Sequence, residues 1–209
     1  MATSEVELCN LALSAIGEDN IVTLSPPQPD GPQAAQCALQ YPKQRDTVLR
    51  SHWWNAATKR VTLAKISGAP IFGYTFAYQL PTDFIRLCDV NEDGVLTFRL
   101  TRYRVEGRQV LTHDSTGNVI YVHRLTNVSQ MDEGLKDAIV ALLAAKMCIA
   151  LTGDETRKRE LMKEFEEVVN EARAADATES GQTVLQASSW VNARFTGVGD
   201  FGYRKIDFG

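Results

Sequence analysis

The hydropathy pattern of this 209-residue chain changes period twice, and that double change limits the folds open to it more than any single residue does. Before about residue 51 and after about residue 132, apolar side chains recur at three- and four-residue steps, the period of a helix. Between Val61 and Leu125 they alternate, and β-branched and aromatic residues are enriched, the mark of short strands. A chain of this length can bury a sizeable core. The expected architecture is therefore α+β: an antiparallel α-helical bundle drawn from residues 1–60 and 130–178, an inserted small antiparallel β-sheet from residues 61–129, and an extended C-terminal tail from residues 179–209.

Local signals place the helices. Over residues 4–16, Ser4 and Glu7 fit a capping box and Gly17 a left-handed stop. Val6, Leu8, Cys9, Leu11, Ala12, Leu13, Ala15 and Ile16 cover most of its circumference, so it is expected to be buried on nearly all sides. The run Ser-Pro-Pro-Gln-Pro-Asp-Gly-Pro at residues 25–32 reads as loop, since each proline removes a donor. A second helix is expected over residues 33–51, with Cys37, Tyr41, Val48 and Leu49 inward and Pro42 forcing a kink or a late start. Residues 132–151 give a third, with Leu135, Ala138, Ile139, Leu142, Ala145 and Ile149 on its strongest face and Gly153 ending it. Residues 155–175 give a fourth, with Leu161, Met162, Phe165, Val168, Val169 and Ala172 opposite a face of mixed charge that includes Arg157, Lys158, Glu160, Lys163, Glu164, Glu167 and Glu171. The last two helices should form an antiparallel hairpin packed on the first two.

Strand patterns occur at residues 61–64, 84–87, 95–100, 103–105, 109–112 and 119–122, with turn signals at Asn91-Glu92-Asp93-Gly94, Glu106-Gly107 and Ser115-Thr116-Gly117-Asn118. Beyond Thr178 periodicity fades. Trp190, Phe195, Phe201, Tyr203 and Phe208 punctuate a glycine-rich stretch there, a pattern suited to a tail that lays aromatic anchors on a neighbour.

Chemistry-bearing patterns are sparse. The start Met1-Ala2-Thr3-Ser4-Glu5 lacks the features of a signal peptide, and no apolar run is long enough for a membrane anchor, so a soluble protein made in a cytoplasm is expected. Cys9, Cys37, Cys88 and Cys148 stand far apart with no paired spacing, which favours reduced, buried thiols over a metal site. No Gly-x-x-x-x-Gly-Lys-[Ser/Thr] loop occurs, and no glycine-rich turn stands between a strand and a helix pattern, so no nucleotide or other cofactor is expected. His52, His113 and His123 lie in unrelated contexts, without Gly-x-Ser-x-Gly or His-Glu-x-x-His, and no catalytic residue is assigned.

Net charge is −4, unevenly spread: residues 1–50 carry −3, residues 51–131 +3, residues 132–180 −5 and residues 181–209 +1. A positive middle between negative helical parts suits a subunit that meets its own copies by opposite charge.

Certain residues carry a resemblance. Leu8, Asn10, Ala12-Leu13, Ile16-Gly17 and Thr23-Leu24 read as Leu-x-Asn-x-Ala-Leu-x-x-Ile-Gly…Leu. They are followed by Tyr41, Arg45-Asp46, Leu49, Trp53-Trp54, Ala57-Thr58-Lys59-Arg60 and Tyr78-Gln79-Leu80-Pro81-Thr82-Asp83. In this order they resemble the tail tubular protein A family, the adaptors that join portal to nozzle in short-tailed bacteriophages and related prophages. The likeness spans roughly residues 5–175, and residues 182–209 match less well. It implies a structural protein of the virion tail, assembled in the host bacterial cytoplasm as a homo-oligomeric ring, dodecameric in the family pattern. It further implies a portal protein and a tail nozzle protein as partners, and double-stranded DNA passing through the channel at ejection without sequence-specific binding. Ordering on a portal template is compatible with a monomer in isolation.

The candidate contact residues are Trp54, because adjacent tryptophans cannot share one face; Arg99, Arg102, Arg104 and Arg108, a basic β patch facing the acidic helices of an adjacent subunit; and the tail aromatics Trp190, Phe195, Phe201, Tyr203 and Phe208, directed at the portal. Two alternatives belong to other classes. Asp83, Asp89, Glu92 and Asp93 near Tyr74, Phe76, Tyr78 and Phe84 could serve a tail-associated glycoside or cell-wall polysaccharide hydrolase. The arginine patch could instead hold DNA phosphates non-specifically.

Overall fold

The computed structural model describes residues 4–24, 31–68, 70–90 and 103–179. Of the loop expected at residues 25–32, Gly31 and Pro32 belong to a helix and residues 25–30 lie outside the described residues, as do the turn at Asn91-Glu92-Asp93-Gly94, the strand at residues 95–100 and the tail beyond residue 179.

Helix α1 (Glu5–Ile16) begins where its cap dictates: the Glu7 amide donates to Ser4 Oγ at 3.2 Å and the Ser4 amide to the Glu7 carboxylate at 3.1 Å. Gly17, at φ 78°, closes it in the left-handed conformation that only glycine adopts without cost. Its burial is narrower than expected. Leu8, Cys9, Ala12 and Leu13 are buried but Leu11 is half exposed, because the neighbours cover one stripe and leave the opposite side open.

Helix α2 (Gly31–Ser51) starts two residues before the expected position and runs through Pro42 as one element. Pro32 fits the first turn, where a missing N–H has no intrahelical partner to lose. Pro42 removes one donor inside the helix, but it and Ala38, whose carbonyl is left over, are both exposed, so water can satisfy that oxygen. Cys37, Tyr41, Val48 and Leu49 face inward as the period requires, joined by Ala34, Gln44 and Arg45.

Helix α3 (Glu133–Thr152) is capped by Asp132, whose Oδ1 accepts from the Leu135 amide at 2.7 Å, and is closed by Gly153 at φ 72°. It is the central helix, and Leu143, Ala144, Met147 and Cys148 are buried together with the expected face. Ile149 departs from that expectation at 41% exposure, while Cys148 before it and Leu151 after it pack on the core. Helix α4 (Glu155–Glu179) returns antiparallel, and Gly134 near the start of α3 approaches Ala172 near the end of α4 so closely that a Cβ would stand 3.0 Å from the alanine methyl. Leu161, Val169 and Ala172 enter the helical core, with Met162, Phe165 and Val168 partly covered beside them.

Among the described residues, the inserted segment forms two antiparallel three-stranded sheets where one was expected. The first has the order β1 (Thr58–Thr62), β6 (Asn118–His123), β3 (Phe84–Val90), and the second β2 (Phe76–Gln79), β5 (Gln109–Thr112), β4 (Tyr103–Glu106). The β1–β6–β3 sheet is the middle layer: Ile85 and Val122 pack on the helical core, while Leu87, Val90, Val119 and Tyr121 join Leu63, Tyr78, Leu80 and Val110 in a second core against the other sheet. Being covered on both faces, β6 is apolar along nearly its whole length. The chain through Ala177 makes up one compact unit.

Candidate interaction surfaces

The two tryptophans occupy opposite environments, and the assignment of Trp54 to an interface is corrected by its burial. Trp54 is fully buried, its Nε1 donating to the Val48 carbonyl at 2.8 Å and its ring meeting the edge of His52 at 5.2 Å. Trp53 is the outward member, 39% exposed, with Nε1 donating to Thr58 Oγ1 at 2.9 Å. The turn between α2 and β1 aims the second indole at the space above the last turn of α2, where its N–H meets a carbonyl left over at the helix end.

The Tyr-Gln-Leu-Pro-Thr-Asp element ties the two sheets together. Tyr78 is buried with its hydroxyl donating to the Asp114 carbonyl at 3.0 Å, and Gln79 Nε2 donates to the Arg108 carbonyl at 3.0 Å. Asp83 accepts from Lys59 Nζ at 2.9 Å and from Tyr121 Oη at 3.0 Å. Burial alone would raise its pKa, but the bonds from Lys59 and Tyr121 and the charges of Lys59 and His123 outweigh burial and hold it below the usual carboxylate value. Such an ionised carboxylate is a poor proton donor for glycoside cleavage. Asp89 accepts from its neighbouring Val90 amide at 2.8 Å. Around them Phe84 stacks on Tyr121 at 6.0 Å, Phe76 lies under Lys65 Nζ at 4.0 Å, and Tyr74 tilts against His113 at 5.3 Å. Glu92 and Asp93 lie outside the described residues.

Of the basic β patch, Arg104 and Arg108 are described. Arg104 pairs with Glu106 at 3.0 Å on the exposed strand β4, and Arg108 donates to the Pro81 carbonyl, which leaves each cation partly engaged within its own subunit. Arg99 and Arg102 lie outside the described residues, as do Trp190, Phe195, Phe201, Tyr203 and Phe208. Gly197, Gly199 and Gly202, which meet the Gly-x-Gly-x-x-Gly spacing without a strand pattern before or a helix pattern after them, also lie outside.

Periodicity did not single out a groove of about 420 Å³ between α2 and the middle sheet, lined by Lys43, Asp46, Thr47, Arg50, Phe84, Ile85 and Arg124. Asp46 is its internal counter-charge, with Oδ1 accepting from Arg45 at 2.9 Å and Oδ2 from Arg124 Nε at 2.9 Å. Arg50 donates to the Ile85 carbonyl at 3.0 Å, and Arg86 reaches back to the Arg50 carbonyl at 3.4 Å, which stitches the end of α2 to β3. Lys43 has no ion-pair partner among the described residues. The seven-residue interval from Lys43 to Arg50, two helical turns on one face, was the one legible signal. Arg124, remote in sequence, gave none.

The end of α4 is fastened beside this region. His52 Nε2 and Asp176 Oδ2 lie 3.0 Å apart, Asn55 donates to the Asp176 carbonyl at 3.2 Å, and Arg173 donates to the Ser51 carbonyl at 3.1 Å. Burial, ahead of the carboxylate's attraction, pushes His52 below the usual imidazole value, with the charges of Arg173 and Arg86 acting the same way. Burial, then repulsion from Asp132, raises Asp176.

Two large apolar side chains stand clear of the fold: Ile71 is 99% and Phe72 87% exposed, on the connection between β1 and β2 next to Gly73, whose φ is 86°. The four cysteines are free, with Cys9, Cys37 and Cys148 buried and Cys88 half-buried. No group of three or more His, Cys, Asp or Glu among the described residues could hold a metal ion, and no described helix is long and apolar enough to cross a membrane. Comparison of the chain with protein-family models and with curated proteins gives no match in either.

Proposed function

We propose that the protein is a virion structural subunit, a tail adaptor that assembles as a closed ring between a portal protein and a tail nozzle protein and forms part of the conduit for DNA. The observation that carries this reading is the exposed Ile71-Phe72 pair on a sheet region of net positive charge, attached to a helical region of net negative charge. Large apolar groups that a subunit leaves in water mark contact surfaces. Opposite charge on two different regions of one chain suits head-to-tail contact, in which each copy offers one face to a different face of the next. The residues behind the resemblance support the same reading through the fold: Leu8, Ala12 and Leu13 are buried. Asn10 holds the turn after α1 by donating to the Ile21 carbonyl at 3.0 Å and accepting from its amide at 2.8 Å.

The mechanism is mechanical: the subunit seals a channel and transmits no chemistry. The aromatic tail is the segment proposed to dock on the portal. Removing residues 182–209 is expected to leave the unit through Ala177 folded, with an unchanged circular dichroism spectrum and melting temperature, while abolishing co-sedimentation with the portal protein. Undiminished co-sedimentation would take the tail out of the account.

A further inference from the structure

The surface of α4 that faces away from the core carries Glu164, Glu167 and Glu171, spaced three and four residues apart and all exposed. That spacing aligns them along one side of a helix. Among the described residues none of the three has an ion-pair partner, whereas Glu160, one turn earlier, is held by Arg157 at 3.2 Å. The groove beside α2 has the complementary character. Lys43, Thr47 and Arg50 repeat at four and three residues on an exposed face of α2, Arg124 stands opposite, and Phe84 and Ile85 supply an apolar wall. Its internal carboxylate, Asp46, is already engaged by Arg45 and Arg124.

The two arrays match in length. Lys43 to Arg50 and Glu164 to Glu171 are each seven residues apart, a helical rise of about 10.5 Å. A helix laid beside α2 would bring one carboxylate to each cation, with Glu167 near Thr47. We infer that the groove between α2 and the middle sheet receives the acidic face of α4 from a second copy of this chain. The inference deepens the proposed ring and rests on it. Because donor and acceptor faces differ, the contact is heterologous and propagates from copy to copy. Exposed ion pairs are individually weak and screened by salt, so free copies pair through this contact at high protein concentration and low salt, and the contact strengthens when several copies are held together.

Two charge variants test this. K43E/T47E turns the groove acidic without touching Arg50 and its bond to Ile85, and E164K/E167K turns the α4 face basic; all four positions are exposed, so the melting temperature is expected to stay at the wild-type value. In sedimentation velocity at high protein concentration and low salt, the wild type is expected to self-associate and to dissociate as salt rises. Each variant alone is expected to lose at least tenfold in association, and an equimolar mixture to regain it through the unaltered α4 of the first and the unaltered groove of the second. Carbodiimide cross-linking of a mixture of ¹⁴N and ¹⁵N wild-type chains checks the pairing without substitution, with Lys43 expected to join Glu164, Glu167 or Glu171 between copies. A wild type that stays monomeric at low salt overturns the inference, as do variants that associate like the wild type, a mixture that fails to recover, or variants that lose retention on DNA instead of self-association. Ring formation on the portal is scored separately: variants that still close rings there overturn this contact and leave the ring standing, whereas a wild type that closes none removes the ring itself.

Discussion

Trp54 and His52 show how strongly single positions around the turn after α2 are committed to packing. Replacing Trp54 by alanine removes the largest fully buried side chain among the described residues and its bond to the Val48 carbonyl, a loss of about 3–5 kcal/mol. The same change at the half-exposed Trp53 should cost under about 1 kcal/mol, and urea unfolding of the two variants checks the contrast. His52 adds a pH dependence whose sign follows from its lowered pKa. The unfolded chain takes up this proton near the ordinary imidazole value of about 6.5, the folded chain only at lower pH, so stability is lost as pH falls below about 6.5. The raised pKa of Asp176 works in the opposite sense at more acid pH, where the folded chain binds a proton the unfolded chain does not. Unfolding midpoints taken between pH 7.5 and 5.5 should fall for the wild type, and His52→Gln, which keeps a donor for Asp176, should flatten that slope. A slope unchanged in His52→Gln would assign the effect to other groups.

At the scale of elements, helices were far more legible than the sheet assembly. The Ser4–Glu7 box and the glycine stops at Gly17 and Gly153 are local chemistry, and all reappear where the residues placed them, while Asp132, expected as the first residue of the third helix, caps α3 instead. Period alone could not say which sides of a helix lack a neighbour, so Leu11 and Ile149, apolar and on the expected faces, turn out exposed. Alternation likewise tells which residues share a strand face but not which strands pair, and the insert divides into two sheets because β2 joins β5 while β3 joins β6. Their contact is tight at Gly117, where a Cβ would stand 2.4 Å from the buried Tyr78 ring. Gly117→Ala should therefore destabilise by about 1–3 kcal/mol, and pairing it with Tyr78→Leu in a double-mutant cycle should cost less than the sum of the two single changes. The groove eluded sequence reading for the same reason: Lys43, Phe84 and Arg124 lie 40 or so residues apart and meet only through β3 and β6.

At the scale of the whole molecule, the described unit uses the motif residues that looked functional, from Tyr41 to Asp83, chiefly to join helices to sheets, and keeps its apolar pair and its unpaired charges for the outside. That division of labour fits a subunit whose work is done by its surfaces. An account built on assembly is decided by assembly. The most direct measurement is the mass and shape, by native mass spectrometry and electron microscopy, of the purified chain mixed with its portal protein: the account predicts a closed ring of identical subunits seated on the portal, and a chain that remains monomeric beside the portal under all salt conditions would contradict it.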